Sequence, residues 1–318
     1  MKKNPDITIL MSVRDGELFI KEAVSSILNQ TYTNFILLIV DNASTDKTRS
    51  IIKDFKDPRI QLVELSNDIG QASALNKGLS MIKTEFIARM DADDISVDDR
   101  LNKQRAYIIK NKLDLVGSNG IVIDENGNDL YSLMHPLSNR EIINTLNIGC
   151  PLIHSSVFMK KSVQSNVGLY NNKLNYAEDW ELWIRFAQAG YQIGNLNDKL
   201  VKLRRHKNQA SSNRSNKILI YTDHKTILES KIINPIDEEY NDFIWSMKIY
   251  TIFRLVMLKS FKAIFKNKLD YKITYKSLKL FIKHIVNDYK NNKFSGRADI
   301  YNNYSLVPPR KHIVINNK

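Results

Sequence analysis

Apolar segments of two different periods alternate along the first hundred residues of the chain. The runs ITILMSV (7–13) and FILLIV (35–40) are continuously apolar, which is typical of parallel strands covered by helices on both faces. Between these runs, Ile20, Val24 and Ile27 recur at helical spacing and predict a helix with one apolar face. The chain therefore begins with a strand, a helix and a second strand.

The alternation continues up to residue 90. Further strands are predicted over 59–65 and 85–90, and further helices over 42–55 and 71–82. Ser44 or Thr45 is predicted to cap the second helix, with Asp46 in its first turn. A βαβαβαβ order with right-handed crossovers predicts an α/β fold with a mostly parallel sheet flanked by helices.

Beyond residue 115 the pattern is looser. Residues 115–131 predict a hairpin that turns at ENGN, and residues 148–162 a strand-rich stretch. Residues 176–192 predict an amphipathic helix that ends at Gly190. The organisation predicted from these signals is a domain over 1–215, a helical basic region over 216–300 and an extended tail over 301–318.

The basic excess of the chain lies in its last third. Residues 202–318 contain 24 Lys and Arg against nine Asp and Glu, whereas residues 1–201 contain 23 against 25. In residues 254–284, lysines alternate with apolar and aromatic side chains. Such helices either lie on an anionic membrane surface, or pack on the preceding domain or a second subunit with their lysines solvated. No nucleic-acid-binding module accompanies the charge, so a nucleic-acid partner is not expected.

The predicted location is the cytoplasm, with the inner face of the cell membrane as a peripheral site. The first residues, MKKNPDITILMSV, lack the pattern of a signal peptide, and no window of the length of a membrane span is free of charge. The single cysteine, Cys150, cannot form an internal disulfide and is expected to be a small buried side chain.

Polar segments follow three of the predicted strands, where parallel sheets bind ligands. They are SVRD, DNASTD and DADD, and the last contains Asp91, Asp93 and Asp94. These carboxylates are either a solvated loop or a site for Mg²⁺ or Mn²⁺, which prefer carboxylate and phosphate oxygens. Neither a G-x-G-x-x-G dinucleotide loop nor a P-loop is present in the sequence.

Five segments in a fixed order resemble the inverting family 2 glycosyltransferases, which have the GT-A fold. They are ITILMSVRDGELFIKEAVSSILNQTYTNFILLIVDNASTDKT, NDIGQASALNKGL, FIARMDADD, AEDWELWIRFA and LRRHKNQAS, and together they span residues 5–212. The resemblance implies that 1–215 is a GT-A catalytic domain. It also implies a nucleotide-sugar donor, a UDP-sugar in our prediction, and transfer to a glycan or lipid-linked acceptor in polysaccharide or lipooligosaccharide assembly.

The resemblance also implies roles for the residues after the first two strands. Asp41 matches an aspartate that helps to hold the nucleotide base, and Ser12 and Arg14 form the adjacent wall. Many relatives have a second acid after this aspartate, whereas this chain has Asn42. These four residues form the first part of the predicted donor site.

Asp91 and Asp93 match the Asp-x-Asp pair of the family. In the family, the last acid ligates a divalent metal and the first lies near the ribose or the metal-bound waters. His206, in LRRHKNQAS, matches a histidine that approaches the metal or the diphosphate, and the alternative is an ordinary loop histidine. The predicted metal ligands are therefore Asp93, Asp91 and His206. Arg89 lies two positions before Asp91 in a strand, so the two side chains should point to the same side. A buried arginine there needs an anionic partner, either an aspartate or a diphosphate, and Arg89 and Asp91 complete the predicted donor site. Asp94 is interpreted as the start of the next turn.

Asp179 matches the general base of the family, and its neighbour Glu178 is expected to help orient a substrate. The alternative is that both acids simply begin a helix. Trp180 and Trp183 are expected to pack in the core rather than to stack on a sugar. His154 matches a position near the acceptor, although a buried structural histidine explains it equally well.

The competing functions are a non-catalytic sugar-binding protein on the same scaffold and a nucleotidyltransferase, which would need a glycine-rich basic loop that SVRDGE does not provide.

Overall fold

A computed structural model describes residues 4–147, 149–174, 176–207, 209, 223, 226 and 227. Within these residues the strands are Ile7–Val13 (β1), Phe35–Asp41 (β2), Ile60–Glu64 (β3), Phe86–Arg89 (β4), Ile95–Ser96 (β5), Leu115–Ile123 (β6), Asp129–Leu133 (β7), Phe158–Lys160 (β8) and Ile193–Arg204 (β9). The helices are Ile20–Leu28 (α1), Thr48–Asp54 (α2), Gln71–Met81 (α3), Arg100–Lys110 (α4), Asn139–Leu146 (α5), Lys161–Val167 (α6) and Glu178–Gln188 (α7).

These strands form one mixed sheet in the order β3-β2-β1-β4-β8-β6-β9-β5, with β7 paired to β6. The first four strands along the chain are mutually parallel, as the alternation predicts. The short strand β8 joins them to β6 by antiparallel pairing on both of its edges. The predicted α/β architecture is confirmed, and its parallel half contains the elements that the sequence pattern defines best.

Helices cover the sheet on both faces, which is why β1 and β2 are continuously apolar. Ile7, Ile9 and Met11 pack with α1, α2 and α4, whereas Leu10 packs with α3 and the helices α5 to α7. Alternate side chains of a strand point to opposite faces of a sheet, so each run serves two cores.

The parallel register brings the carboxyl ends of these strands to one edge. Val13 pairs with Asp41, Asp41 with Glu64, and Leu10 with Arg89. The loops that begin at residues 14, 42, 65 and 90 consequently leave the sheet side by side. This edge is where a ligand of an open parallel sheet binds.

Three local predictions hold. The 115–131 hairpin is formed by β6 and β7, and Gly127 in its turn has φ = 88°. Helix α7 is followed by Gly190 with φ = 81°, a left-handed conformation that favours glycine. Trp180 and Trp183 are buried in the core rather than available for stacking on a sugar.

Two local predictions are wrong. Helix α2 begins at Thr48, and Asp46 accepts hydrogen bonds from the Thr48 N–H and hydroxyl, so neither Ser44 nor Thr45 caps it. The 148–162 stretch contains only the three-residue strand β8, which is preceded by a single 3-10 turn and followed by α6. The helical region and tail predicted beyond residue 216 lie outside the described residues, apart from isolated positions.

Candidate active site

A cleft of about 480 Å³ opens at the shared edge of the parallel strands. The loops after β1, β2, β3 and β4 supply most of its wall, and the segment after β9 supplies His206. The predicted site residues that line it are Ser12, Arg14, Asn42, Asp91, Asp93 and His206. Side chains that are far apart in the sequence thus share one concave surface.

The first acid of the Asp-x-Asp pair is bound to a buried arginine. Arg89 is 1% exposed, and its Nη2 donates to Asp91 Oδ1 at 2.5 Å, as their placement in the strand predicts. Burial alone would raise the pKa of Asp91, but the charge of Arg89 and a hydrogen bond from Ser155 hold the pKa at about 2. Asp91 is therefore a permanent carboxylate whose two oxygens are both engaged.

Asp94 is a buried structural acid, so its interpretation as the start of the next turn is wrong. It is 4% exposed, and its Oδ1 accepts the Arg204 N–H at 2.9 Å. Its Oδ2 lies 2.5 Å from Ser155 Oγ, which in turn lies 2.6 Å from Asp91 Oδ2. Burial and the neighbouring carboxylates Asp93 and Asp91 raise the pKa of Asp94 well above its ordinary value.

The second acid of the pair faces a histidine. Asp93 Oδ2 and His206 Nε2 are 3.0 Å apart, although the two residues are 113 positions apart in the chain. Both side chains line the cleft and retain some exposure. Of the three predicted metal ligands, the structure brings these two together and leaves Asp91 with Arg89 and Ser155.

Within the described residues, no group of three or more His, Cys, Asp and Glu side chains is arranged to hold a metal ion. A carboxylate beside an imidazole nevertheless suits Mg²⁺ or Mn²⁺, because these ions often use one or two protein ligands and complete their shell with water and substrate phosphates. The donor set of Asp93 and His206 therefore fits a cation that binds together with a phosphate-containing substrate.

The predicted base-binding aspartate, Asp41, is fully buried and is not among the residues lining the cleft. Its Oδ1 accepts from Arg49 Nε at 2.6 Å and from the Ser44 N–H at 3.1 Å. Its Oδ2 has no hydrogen-bond partner within the described part of the chain. The next residue in the chain, Asn42, does line the cleft.

Asn42 connects two loops of the cleft. Its Nδ2 donates to Asp68 Oδ1 at 2.6 Å, and its Oδ1 accepts the Ile69 N–H at 3.0 Å. Asp68 also forms an ion pair with Arg14. The loops after β1, β2 and β3 are consequently held together by side chains at the mouth of the cleft.

The predicted base lies at the start of α7, outside the set of residues that line the cleft. Burial raises the pKa of Asp179 to about 6, and the Asp91 carboxylate adds to this increase. Burial, followed by the charge of Asp179, raises the pKa of Glu178 to about 8. Because the Asp91 charge acts on both acids, the Asp-x-Asp pair and α7 belong to one electrostatic site.

Cys150 and His154 also lie near this helix. Cys150 is half-buried rather than fully buried as expected, and its Sγ lies 3.8 Å from Asp179 Oδ2. His154 Nε2 lies 2.9 Å from the Tyr170 hydroxyl. Burial and the nearby Arg89 charge lower the pKa of His154 to about 3, so its ring is neutral at physiological pH.

Sequence reasoning missed several residues that organise the site. Asp68 follows β3, and a survey of all four strand ends rather than three would have singled it out. Arg49, Ser155 and Phe19 have no such signal, because their contacts with Asp41, Asp91 and His206 depend on the packing of separate elements.

A family model described as Glycosyl transferase family 2 matches residues 8–165. The chain is 34% identical over 208 residues to the O-antigen biosynthesis glycosyltransferase WbnJ of Escherichia coli, which covers 63% of this chain and 80% of WbnJ. It is 31% identical over 235 residues to the uncharacterized glycosyltransferase MJ1057 of Methanocaldococcus jannaschii, with 71% and 81% covered. It is 30% identical over 189 residues to the amylovoran biosynthesis glycosyltransferase AmsE of Erwinia amylovora, with 58% and 70% covered.

Two solved structures have a similar fold. One is Staphylococcus aureus TarS 1–349 in complex with UDP-GlcNAc, at a TM-score of 0.59 and 20% identity over 78% of this chain and 73% of TarS 1–349. The other is the mannosyltransferase PcManGT of Pyrobaculum calidifontis in complex with GDP-Man and Mn²⁺, at a TM-score of 0.56 and 17% identity over 90% and 87%. At these identities the likeness shows the shared GT-A fold.

Proposed function

The chain belongs to glycosyl transferase family 2, and on that premise we propose that it transfers a sugar, with inversion, from a nucleotide diphosphate sugar to an acceptor hydroxyl. The proposed reaction depends on a divalent cation. The observation that carries the proposal is the meeting of Asp93 and His206, 3.0 Å apart, in the wall of a cleft at the carboxyl ends of parallel strands.

The proposed donor is a UDP-sugar. Asp41 Oδ2 is a buried acceptor without a partner in the described residues, and the ring N–H of uracil would supply the missing hydrogen bond. Ser12, Arg14 and Asn42, the residue that follows Asp41, line the cleft. Guanine also presents a ring N–H, next to an amino group, so a GDP-sugar is the alternative donor that the same assay must include.

Asp93 and His206 are the proposed cation ligands, and Asp91 holds the loop that presents Asp93. When bound, Mg²⁺ or Mn²⁺ would act as a Lewis acid that stabilises the negative charge developing on the leaving diphosphate. Both carboxylate oxygens of Asp91 are occupied, one by Arg89 and the other by Ser155. We therefore propose that Asp91 holds the Asp93 backbone in place and is not the principal ligand of the ion.

The pKa values favour Asp179 over Glu178 as the base. A general base must be unprotonated at the working pH and works best with a pKa close to it. With a pKa of about 6, Asp179 is a carboxylate at neutral pH. With a pKa of about 8, Glu178 keeps its proton and can donate a hydrogen bond to a substrate oxygen.

In the proposed single displacement, Asp179 takes the proton of the acceptor hydroxyl as its oxygen bonds to the anomeric carbon. The bond between that carbon and the diphosphate oxygen breaks, and both of its electrons leave with the nucleoside diphosphate. Attack opposite the leaving group inverts the anomeric carbon, so no covalent sugar–enzyme intermediate is needed.

The proposed biological role is the assembly of a surface polysaccharide or lipooligosaccharide. WbnJ is named for O-antigen biosynthesis and AmsE for amylovoran biosynthesis. A glycan or lipid-linked acceptor follows from this role. Contact of residues 254–284 with an anionic membrane stays a prediction, because these residues lie outside the described part of the chain. In the described residues, no helix has both the length and the apolar character needed to cross a membrane.

A panel of UDP- and GDP-sugars tests the proposal, with nucleotide release measured in the presence of Mn²⁺ or Mg²⁺ and a mixture of glycan acceptors. The wild type should release nucleotide from one donor, and Asp179→Asn should keep donor binding while losing roughly 10²- to 10⁴-fold in the rate of transfer. Binding without release by the wild type on any acceptor would favour a non-catalytic sugar-binding protein. Transfer by Asp179→Asn at the wild-type rate would show that another group is the base.

A further inference from the structure

Phe19 makes ring contacts with two side chains at the end of β9. Its ring centroid lies 4.7 Å from that of His206, with the planes at 51°. The guanidinium carbon of Arg204 lies 4.8 Å from the centroid of the same ring. Phe19 lines the cleft and precedes α1, so it joins the first strand-end loop to the residues that follow β9.

Arg204 is itself firmly held. It is 1% exposed and forms an ion pair with Glu22 of α1. Its guanidinium also donates to the carbonyl oxygens of Asp93 at 3.0 Å, Asp124 at 3.3 Å and Glu125 at 3.0 Å. Because an arginine with several charge-assisted bonds has little freedom, the Phe19 ring packs against a fixed surface.

The His206 ring needs such a surface. Its hydrogen bond from Nε2 to Asp93 Oδ2 fixes one atom of the imidazole, but a ring held at one atom can still turn about that bond. The tilted contact with the Phe19 ring restricts this rotation, since aromatic pairs have preferred geometries. A metal ligand must present a ring nitrogen in a defined direction, so the restriction bears directly on cation binding.

We propose that Phe19 is a positioning residue for the Asp93–His206 pair: its ring, packed on the anchored Arg204, orients the His206 imidazole for a divalent cation. This inference rests on the proposed function, because it assumes that the pair binds a cation. Phe19, in the loop after β1, is thereby added to the cation site. Glu22 of α1 supports the same site through its ion pair with Arg204.

The test compares Phe19→Leu, Phe19→Tyr and the matched control Phe55→Leu. Phe55 is a half-buried phenylalanine at the end of α2 that packs on the core and does not line the cleft. Mn²⁺ binding is measured by EPR of the free ion, with and without UDP, and thermal unfolding monitors the fold. Phe19→Met replaces Phe19→Leu if leucine at this position unfolds the protein.

Phe19→Leu should weaken Mn²⁺ binding by about three- to tenfold, the range expected for the loss of an aromatic contact. Phe19→Tyr keeps the ring and should bind as the wild type does, and Phe55→Leu should lower Tm without changing Mn²⁺ binding. Equal Mn²⁺ binding by Phe19→Leu and the wild type would overturn the inference and leave the proposed function standing. A wild type that binds no Mn²⁺ but transfers sugar would overturn the cation site and the inference, and not the transferase activity.

Discussion

Three buried arginines, Arg89, Arg100 and Arg204, lie around the Asp-x-Asp loop. Arg89 pairs with Asp91, and the Arg204 backbone and guanidinium bind Asp94 and the Asp93 carbonyl oxygen. Arg100 is also buried and donates to the Arg89 carbonyl oxygen at 2.8 Å. Like charges within four positions are tolerated because the Arg89 guanidinium pairs with Asp91 and because the raised pKa of Asp94 favours its neutral form. Asp93 is the acid of this loop that faces His206 in the cleft.

The rate of transfer should depend on pH with two limbs. As the pH falls through about 6, Asp179 gains a proton and kcat/KM should fall. As the pH rises through about 8, Glu178 loses its proton, a second negative charge forms beside Asp179, and the rate should fall again. Glu178→Gln keeps a neutral hydrogen-bond donor and should remove the alkaline limb alone.

The pH profile of nucleotide release checks this expectation. Glu181→Gln is the matched control, because Glu181 lies in the first turn of the same helix but pairs with Arg185. An alkaline limb that persists unchanged in Glu178→Gln would show that a different group titrates there.

For single residues, the sequence predicts those contacts that follow from a motif or from the spacing of residues within a strand. The pairing of Arg89 with Asp91 follows from their two-residue spacing in a strand. The burial of Asp94 could not be predicted, because it depends on Ser155 and Arg204, which come from elements far along the chain. The same holds for the contact of Phe19 with His206.

Elements with a clear period were predicted best. The four parallel strands and α3 match their predicted bounds to within one residue or so, because two-sided burial forces an unbroken apolar run. The 148–162 stretch was misread because its apolar residues are buried in a turn and a short helix as well as in β8. A short apolar run does not distinguish these conformations.

Helix α3 packs unusually close to the sheet at Gly78. A Cβ added there would lie 2.3 Å from Leu10 Cδ1 and 3.2 Å from Val40 Cγ2. Alanine normally stabilises a helix interior relative to glycine by up to about 1 kcal/mol. Here Gly78→Ala should instead lower the free energy of unfolding by about 1 to 3 kcal/mol, because the new methyl group overpacks the core.

Urea denaturation measures this change, with Ser80→Ala as the control on the exposed side of α3. The control should stay within about 0.5 kcal/mol of the wild type. A Gly78→Ala protein that is more stable than the wild type would contradict this expectation, because it would mean that α3 can move away from β1 to make room for the methyl group.

For the molecule as a whole, the candidate site is a product of topology. Asp93 and His206 are 113 positions apart in the chain, and they meet because β9 pairs with β5, directly after the Asp-x-Asp loop, in antiparallel register. No local pattern in the sequence predicts this meeting, and only the resemblance to a known family pointed to it. The distribution of charge, in contrast, can be read from the sequence alone: residues 202–318 carry a net charge of +15 and residues 1–201 a net charge of −2.

The central claim is that Asp93 and His206 bind a divalent cation together with a nucleotide diphosphate, and calorimetric titration of UDP tests it most directly. Mn²⁺ should tighten UDP binding by the wild type by about tenfold or more, within the usual range of coupling between two ligands. Asp93→Asn should bind UDP as the wild type does when EDTA is present, and should gain little from Mn²⁺. If Mn²⁺ tightens UDP binding equally in both proteins, or in neither, the cation site is not at Asp93.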